Sequence, residues 1–427
     1  MKSFLRISIA LLLVNGLTIG SAGADVKSKN RFEIFTWFTS GAEADSMKAL
    51  STEFRKQNPR AIFFNAAAVG DGINAKGVLV DRLEAGEPPD SFQVHSGAEI
   101  SPLIQAGQLQ DLAPLYKSEG WDKVFPADLI SNLTANGKIY SVPLKITRTN
   151  LLWWNPVTAK KAGITKVPNS LDEMLADMEK FKKIGINGIA LSGQGDWAIA
   201  LLFDYVLLAS MGPEKFNGLW NGDTAWDGPE VSKAIDYLTK ILTFGNSSKS
   251  LDWPDAAKLI ISRKAGYLIM GDWVKNEWQS QGLVIGKNFT YSPAPQSSGT
   301  FQWAAESFVL PRDASNIDAG TEWLKLCGSI VGQAKFNSLN RSIGSRIDQN
   351  QKMYDSFQKS QVKDWSKNIL VGSTVLGVNY NNAGMASFNS AVGKFYRASV
   401  RDEVEVELFK SRLQETFEIN ENYLLNS

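Results

Sequence analysis

Residues Arg31 to Asn65 read RFEIFTWFTSGAEADSMKALSTEFRKQNPRAIFFN. The opening RFEIFTWF alternates apolar and polar positions as a half-buried strand does. Ala42 to Gln57 carries its acids early, has apolar residues at Met47, Leu50 and Phe54, and is stopped by Asn58-Pro59, which predicts a helix. Ala61 to Asn65 is a second strand. Downstream, Gly70-Asp71-Gly72 is a loop leading into a helix that runs to about Ala85. Pro88-Pro89-Asp90 halts the chain before a third strand, Ser91 to Val94. Strand, helix, strand, helix, strand at this spacing predicts a parallel sheet in an α/β lobe.

The remainder continues in the same style. Tyr140 to Leu144 and the run Thr149 to Trp154 read as buried segments. Helices are expected over Leu171–Lys183, Ala198–Met211, Val231–Leu242 and Ala319–Ser329. Strands are expected at Tyr267–Met270 and Phe308–Pro311, with a stiff stretch at Tyr291–Pro295 and a mostly helical C-terminal 80 residues. No internal repeat or low-complexity segment interrupts the pattern.

The chain opens with MKSFLRISIALLLVNGLTIGSAGA. Lys2 and Arg6 precede a short apolar core, and Ala22-Gly23-Ala24 is a small-residue cleavage site. This reads as a secretory signal peptide over residues 1–24, because the apolar run is too short to span a bilayer. The full chain has 45 basic and 44 acidic residues. Residues 1–24 hold two of the basic ones and no acid, so the mature chain stands at one net negative charge. That balance gives nucleic acid nothing to bind, and with no later stretch of about 18 apolar residues the mature chain is expected to be soluble. Cys327 is the only cysteine, so no intrachain disulfide and no cysteine-built metal site can form. The mature length exceeds one typical core and predicts two lobes.

Thirteen tryptophans stand out. Trp37, Trp197 in Gly195-Asp196-Trp197, and Trp273 in Gly271-Asp272-Trp273 fall at expected strand ends, where open α/β sheets bind ligands. A flat ring there suits the C–H face of a pyranose, and a rim of carboxylates, amides and His suits its hydroxyls. Each such Trp is as readily a core residue, and Trp153 and Trp154, inside an apolar run, more so. Glu43, in the first turn of its helix, could accept sugar hydroxyls or simply complement the helix dipole. His95, in Ser91-Phe92-Gln93-Val94-His95, is the only histidine. A zinc site needs about three ligands, so a metal is not expected, and neither is a cofactor. No G-x-S-x-G elbow supports a serine triad. A ligand-contacting His and a structural one stay equally open on the residues alone.

In order along the chain, Phe35-Thr36-Trp37-Phe38-Thr39-Ser40-Gly41-Ala42-Glu43, Pro88-Pro89-Asp90, Phe92-Gln93-Val94-His95, Tyr140-Ser141-Val142-Pro143, Thr147-Arg148-Thr149-Asn150-Leu151-Leu152-Trp153-Trp154-Asn155, Met270-Gly271-Asp272-Trp273 and Glu306-Ser307-Phe308-Val309-Leu310-Pro311 form a set. With them the chain resembles the periplasmic solute-binding proteins of ABC sugar importers, extracellular solute-binding protein family 1, the class that includes maltose-binding protein. Within it the likeness is to glucose- and mannose-binding proteins. The resemblance implies the periplasmic-binding-protein type II fold: two α/β lobes joined by a multi-segment hinge, with the ligand in the interlobe cleft. It implies an N-terminal lobe of 25–145 and 296–341, a C-terminal lobe of 146–295 and 342–427, and crossings near Pro143–Arg148, Tyr291–Pro295 and Ser342–Gly344.

The same resemblance implies ligand contacts at Trp37 as a stacking ring, Glu43 and His95 as hydroxyl partners, and Asn150 and Asp272 from the other lobe. Phe38, Arg148, Trp197, Trp273 and Glu306 complete the expected set, with a periplasmic monomer, a membrane permease as partner and no catalysis. This chain departs from related glucose binders at Asn340-Arg341-Ser342-Ile343-Gly344, where they have Lys-Gly-Ser-Ile-Pro. It departs again at Gly372 to Leu376, where they carry a second His, and at Phe38, which replaces the second Trp of a pair. The expectation is therefore a neutral sugar, glucose or a close relative. A disaccharide, glucoside, polyol or charged solute is the alternative. An exported glycosidase using Glu43 and Asp272 would need the two carboxylates about 5–10 Å apart astride a bond. If neutral His95 binds ligand, affinity should fall as the ring protonates near its unperturbed value of about 6.5.

Overall fold

The computed structural model describes residues 31–39, 41–66, 72–398 and 403–424. The expected signal peptide and the Gly70-Asp71 loop lie outside them. Twelve strands are seen among these residues: β1 Arg31–Phe35, β2 Ile62–Asn65, β3 Ser91–His95, β4 Thr134–Ala135, β5 Lys138–Ile139, β6 Val142–Arg148, β7 Leu151–Trp154, β8 Asn187–Ile189, β9 Ala265–Ile269, β10 Thr290–Pro293, β11 Thr300–Val309 and β12 Ile369–Gly372.

The opening stretch folds as its pattern demands. β1 pairs in parallel with β2 and β3, and the helix between β1 and β2 spans Gly41–Gln57, burying Met47, Leu50 and Phe54. The sheet runs β12-β11-β3-β1-β2, and β6 also pairs with β11. β3 and β12 share one edge of β11: β12 lies along residues 300–303 and β3 along 306–309. Phe32, Ile34, Leu50, Phe54, Val142, Ile146, Phe308 and Trp323 fill the core on one face of this sheet.

The second sheet, β10-β7-β9-β8, anchors a separate core built on Leu151, Leu152, Trp153, Met178, Phe181 and Tyr267. Its long helix, Trp197–Asn221, is kinked at Gly212, whose φ of 78° and ψ of 170° leave the helical region just before Pro213. Proline has no N–H to give and its ring crowds the preceding turn, so the regular helix stops where the apolar spacing predicts, at Met211. Sixteen of the 25 residues are buried, which accounts for the helix being apolar on nearly every side.

The chain passes between the cores at Thr149–Asn150, where β6 ends and β7 begins, and again between β10 and β11. The expected third crossing at Ser342–Gly344 differs. Ile343 bridges Ile146 and packs in the first core with Tyr354, Val362 and Trp365, and β12 then adds to β11 in parallel. The chain leaves for the second core after β12, through Val375 and Tyr380. The stretch from 342 to β12 therefore serves mainly the first lobe, because its apolar side chains cover β11 and β6. Asp204, on the long helix, ties the lobes here: its Oδ2 accepts from Gln302 Nε2 (3.0 Å), Ser373 Oγ (3.1 Å) and Thr374 N (3.1 Å). Burial pushes its carboxyl up to about 7.

Candidate functional site

The first lobe supplies its polar groups from strand ends. Trp37 follows β1 and is half-buried, with its ring 5.4 Å from that of His95. Gln93, fully buried, ties Trp37 to Glu306: its Oε1 accepts from Trp37 N (3.2 Å) and from the Thr36 hydroxyl, while its Nε2 donates to Glu306 Oε2 at 2.6 Å. His95 closes β3 between two carboxylates, Glu99 Oε2 at 2.8 Å from Nδ1 and Glu306 Oε1 at 3.4 Å from Nε2. Glu306 lies opposite both His95 and Lys145 in register, beside a shift in the β6–β11 pairing between Glu306 and Ser307. Bulges of this kind turn a side chain out of the regular alternation and accommodate a proline, here Pro143.

Lys145 is the residue the sequence reading missed. It is 5 % exposed, its Nζ is 3.5 Å from Glu43 Oε1, and it sits 5.1 Å over the Phe38 ring. Burial lowers its ammonium, but Glu43, Glu306 and Asp272 outweigh that and leave it above the usual range. Burial raises the Glu43 carboxyl despite the opposing pull of Lys145. Even so, 42 % of the Glu43 side chain is reached by solvent, as befits a group crowded on a cleft wall. Burial would also raise Glu306, but His95, Lys145 and Gln93 together hold it below the ordinary carboxylate value.

The second lobe adds Asp272, which opens the helix Trp273–Ser280. Its Oδ2 accepts from Arg148 N (3.2 Å) and its own N–H donates to Arg148 O (3.0 Å), so it is pinned to the crossing. Burial pushes its carboxyl up to about 6 against the pull of Lys145. Trp273 is half-buried and lies 5.9 Å from Trp197. The turn before Trp197 is fixed by Asp196, at φ 63°, whose carboxylate is gripped by both terminal nitrogens of Arg397.

Gly271 is required by this packing, since a Cβ there would lie 2.0 Å from the Trp273 ring. Gly271→Ala is expected to push that ring out of place and weaken ligand binding about tenfold or more, with a loss of stability near 1–3 kcal/mol typical of overpacking. Titration of the variant beside the parent protein checks it.

Three expected contacts are placed elsewhere. Arg148 is 0 % exposed; it donates to Asn150 Oδ1, Gln361 Oε1, Asp364 Oδ2 and Thr300 O. Asn150 is equally buried, accepting from Arg148 Nε and Gln302 N and donating to Ser297 Oγ and Thr300 O. Both hold the crossing together and present no free surface to a cleft. Phe38 points into the first core against Phe336, at 5.6 Å between ring centroids, because alternation puts it on the opposite side of the chain from Trp37. A hollow of about 440 Å³ lined by Gln279, Arg341, Met353 and Asp355 opens beyond the far end of helix Trp273–Ser280, and none of the expected site residues lines it.

The two carboxylates beside His95 suggest a second source of pH dependence. A doubly protonated imidazole donates at both nitrogens, which suits two facing carboxylates, so protonation of the ring does not remove a needed group. Asp272 is that second source. Affinity is expected to stay level from about pH 8 to about 6.5 and then to fall by up to about tenfold per unit as Asp272 takes a proton. His95→Gln should keep that profile and Asp272→Asn should flatten it.

A chain that crosses between two α/β lobes and brings acidic side chains of both around Lys145 is built as a two-lobed solute receptor. It belongs to the bacterial extracellular solute-binding protein family, which it matches over residues 41–334. An uncharacterised ABC transporter extracellular-binding protein of Pyrococcus horikoshii is 30 % identical, over 90 % of this chain and 91 % of its own length. A probable sugar-binding periplasmic protein of Brucella melitensis is 30 % identical, over 83 % of this chain and 85 % of its own. Among solved structures, the bacterial solute receptor AcbH, described as exclusively preferring β-D-galactopyranose, superposes with a TM-score of 0.81. That alignment covers 91 % of this chain and 99 % of the receptor at 17 % identity, a likeness of fold.

Proposed function

We propose that the protein captures a neutral sugar, a monosaccharide such as glucose or a close relative, between its lobes and delivers it to an ABC transporter permease. The observation that carries this reading is the convergence of Glu43, Glu306 and Asp272, from both lobes, on the Lys145 ammonium, with half-buried rings in each lobe, Trp37 in one and Trp197 beside Trp273 in the other. Aromatic faces take the C–H patches of a pyranose, and carboxylates take its hydroxyls through charge-assisted bonds of about 1.5–3 kcal/mol each. Micromolar affinity needs about −8 kcal/mol, within reach of a few such bonds and one stacked ring. Closure needs only that the sugar bind the closed form better than the open one. The relatives named for sugars support the same class of ligand.

Trp fluorescence of the mature protein, titrated with glucose, galactose, mannose, xylose, common disaccharides and polyols, tests the reading. A saturable micromolar response to one or two of them is expected. A folded protein silent across the panel would refute it.

A further inference from the structure

We propose that Lys145 sets the charge class of the ligand: it fills the cationic position among Glu43, Glu306 and Asp272, so that the site takes neutral sugars and turns away their protonated amino counterparts. The inference deepens the sugar reading above and rests on it.

Glu43 and Glu306 come from the first lobe and Asp272 from the second. All three act on Lys145, and as carboxylates they only accept hydrogen bonds, whereas an ammonium only donates. Three acceptors of like charge converging from two lobes would repel one another and would welcome any cation. Lys145 is in that place already. It is carried by β6, a strand buried along its whole length, and backed by the Phe38 ring, whose face favours an ammonium.

The neighbouring cations are committed elsewhere: Arg148 to Asp364, Gln361, Asn150 and Thr300, and Lys275 to Asp355 at 2.7 Å. His95 stands between Glu99 and Glu306. A ligand hydroxyl can donate to Glu43 or Asp272 and accept from Lys145, so a neutral sugar is served by both signs. A ligand ammonium meets Lys145 in the place it would need. A like-charge clash of this kind is how specificity is built against a competitor rather than for a ligand.

The test is calorimetric titration at pH 6.5 with D-glucose, D-galactose, D-glucosamine and D-galactosamine, on the parent protein, Lys145→Met and Lys145→Arg. The parent protein is expected to prefer the neutral member of the pair it recognises by at least about tenfold. Lys145→Met should reverse that order, and Lys145→Arg should keep it. An unchanged neutral-to-amine ratio in Lys145→Met overturns the proposal, as does a parent protein that binds the amine equally well. A loss of packing alone would weaken both sugars together and leave the ratio where it was.

If the folded parent protein binds none of the four, the sugar reading is decided by the wider fluorescence panel and the role of Lys145 by a ligand-free measurement. The melting temperature of Lys145→Met should rise more steeply than that of the parent as pH falls from about 7 to 5, because Glu43 and Asp272, no longer neutralised, take protons. Parallel curves would overturn the proposal.

Discussion

Arg148→Met is expected to lower the unfolding free energy by about 3–5 kcal/mol, the range for breaking a buried charge pair by removing one partner. The guanidinium is completely enclosed and serves four acceptors drawn from three parts of the chain. It also lies 4.8 Å over the Phe301 ring. Met restores some of the volume but satisfies none of the acceptors. Gln361 Oε1 would lose its donor, and a buried orphan of that kind costs about 1–3 kcal/mol, while Thr300 O and Asn150 Oδ1 would each lose one of two donors, keeping Asn150 Nδ2 and Gln302 N. Chemical denaturation at neutral pH measures the loss. Below the melting temperature the variant should still bind ligand within a few-fold of the parent, because Arg148 faces the crossing and not the cleft. A stable variant that has lost binding would restore Arg148 to the ligand shell.

Asp272→Asn is expected to act in opposite directions on binding and on stability. Removing the charge replaces charge-assisted bonds to ligand hydroxyls by neutral ones, a loss of about 1–1.5 kcal/mol for each bond, or roughly 5- to 13-fold in affinity. The amide oxygen can still accept from Arg148 N, so the local geometry is kept. The fold, in contrast, gains. A carboxyl pushed from 3.8 up to about 6 by burial is disfavoured in its charged form by up to about 3 kcal/mol at pH 7.5, at 1.36 kcal/mol per unit.

The sign follows from proton counting. Between about pH 4 and 6 the folded state holds a proton at Asp272 that the unfolded state has released, so this contribution to stability is present at low pH and is lost as pH rises through about 6. Asp204, pushed up to about 7, acts in the same sense. Carboxyls held low, such as Glu306 and Asp348, lose their contribution progressively below about pH 5, outside the range from about 5.5 to 8. The ligand-free parent should therefore melt higher at pH 5.5 than at pH 8, and Asp272→Asn should show a smaller difference. Calorimetric melts across that range decide it.

The parts of the molecule governed by local rules were legible in the sequence. The spacing of Met47, Leu50 and Phe54 placed the first helix to within a residue, and the alternation of RFEIFTWF placed the start of the first strand but ran three residues past its end at Phe35. Gly271-Asp272-Trp273 was readable because a strand had to end there and a bulky ring next to a glycine needs the space. What failed depends on contacts far along the chain. Arg148 and Asn150 are the residue types a sugar site uses, and only their partners at Thr300, Gln361 and Asp364 show that they belong to the crossing. Phe38 was misplaced although the alternation that turned Trp37 outward already turned it inward. Lys145 gave a usable sign, a charged residue inside the apolar run Val142-Pro143-Leu144-Lys145-Ile146, where burial demands a carboxylate partner. The third crossing shifted because β12 is short and its pairing with β11 could not be read from four residues.

The most direct test is a crystal structure of the mature protein grown with the sugar that gives the strongest fluorescence response. The expected result is one sugar between Trp37 and the Trp197–Trp273 pair, with hydroxyls on Glu43 and Asp272 and within reach of Lys145. Sugar found instead in the hollow lined by Arg341 and Asp355, or an interlobe cleft left empty at saturating concentration, would contradict the assignment.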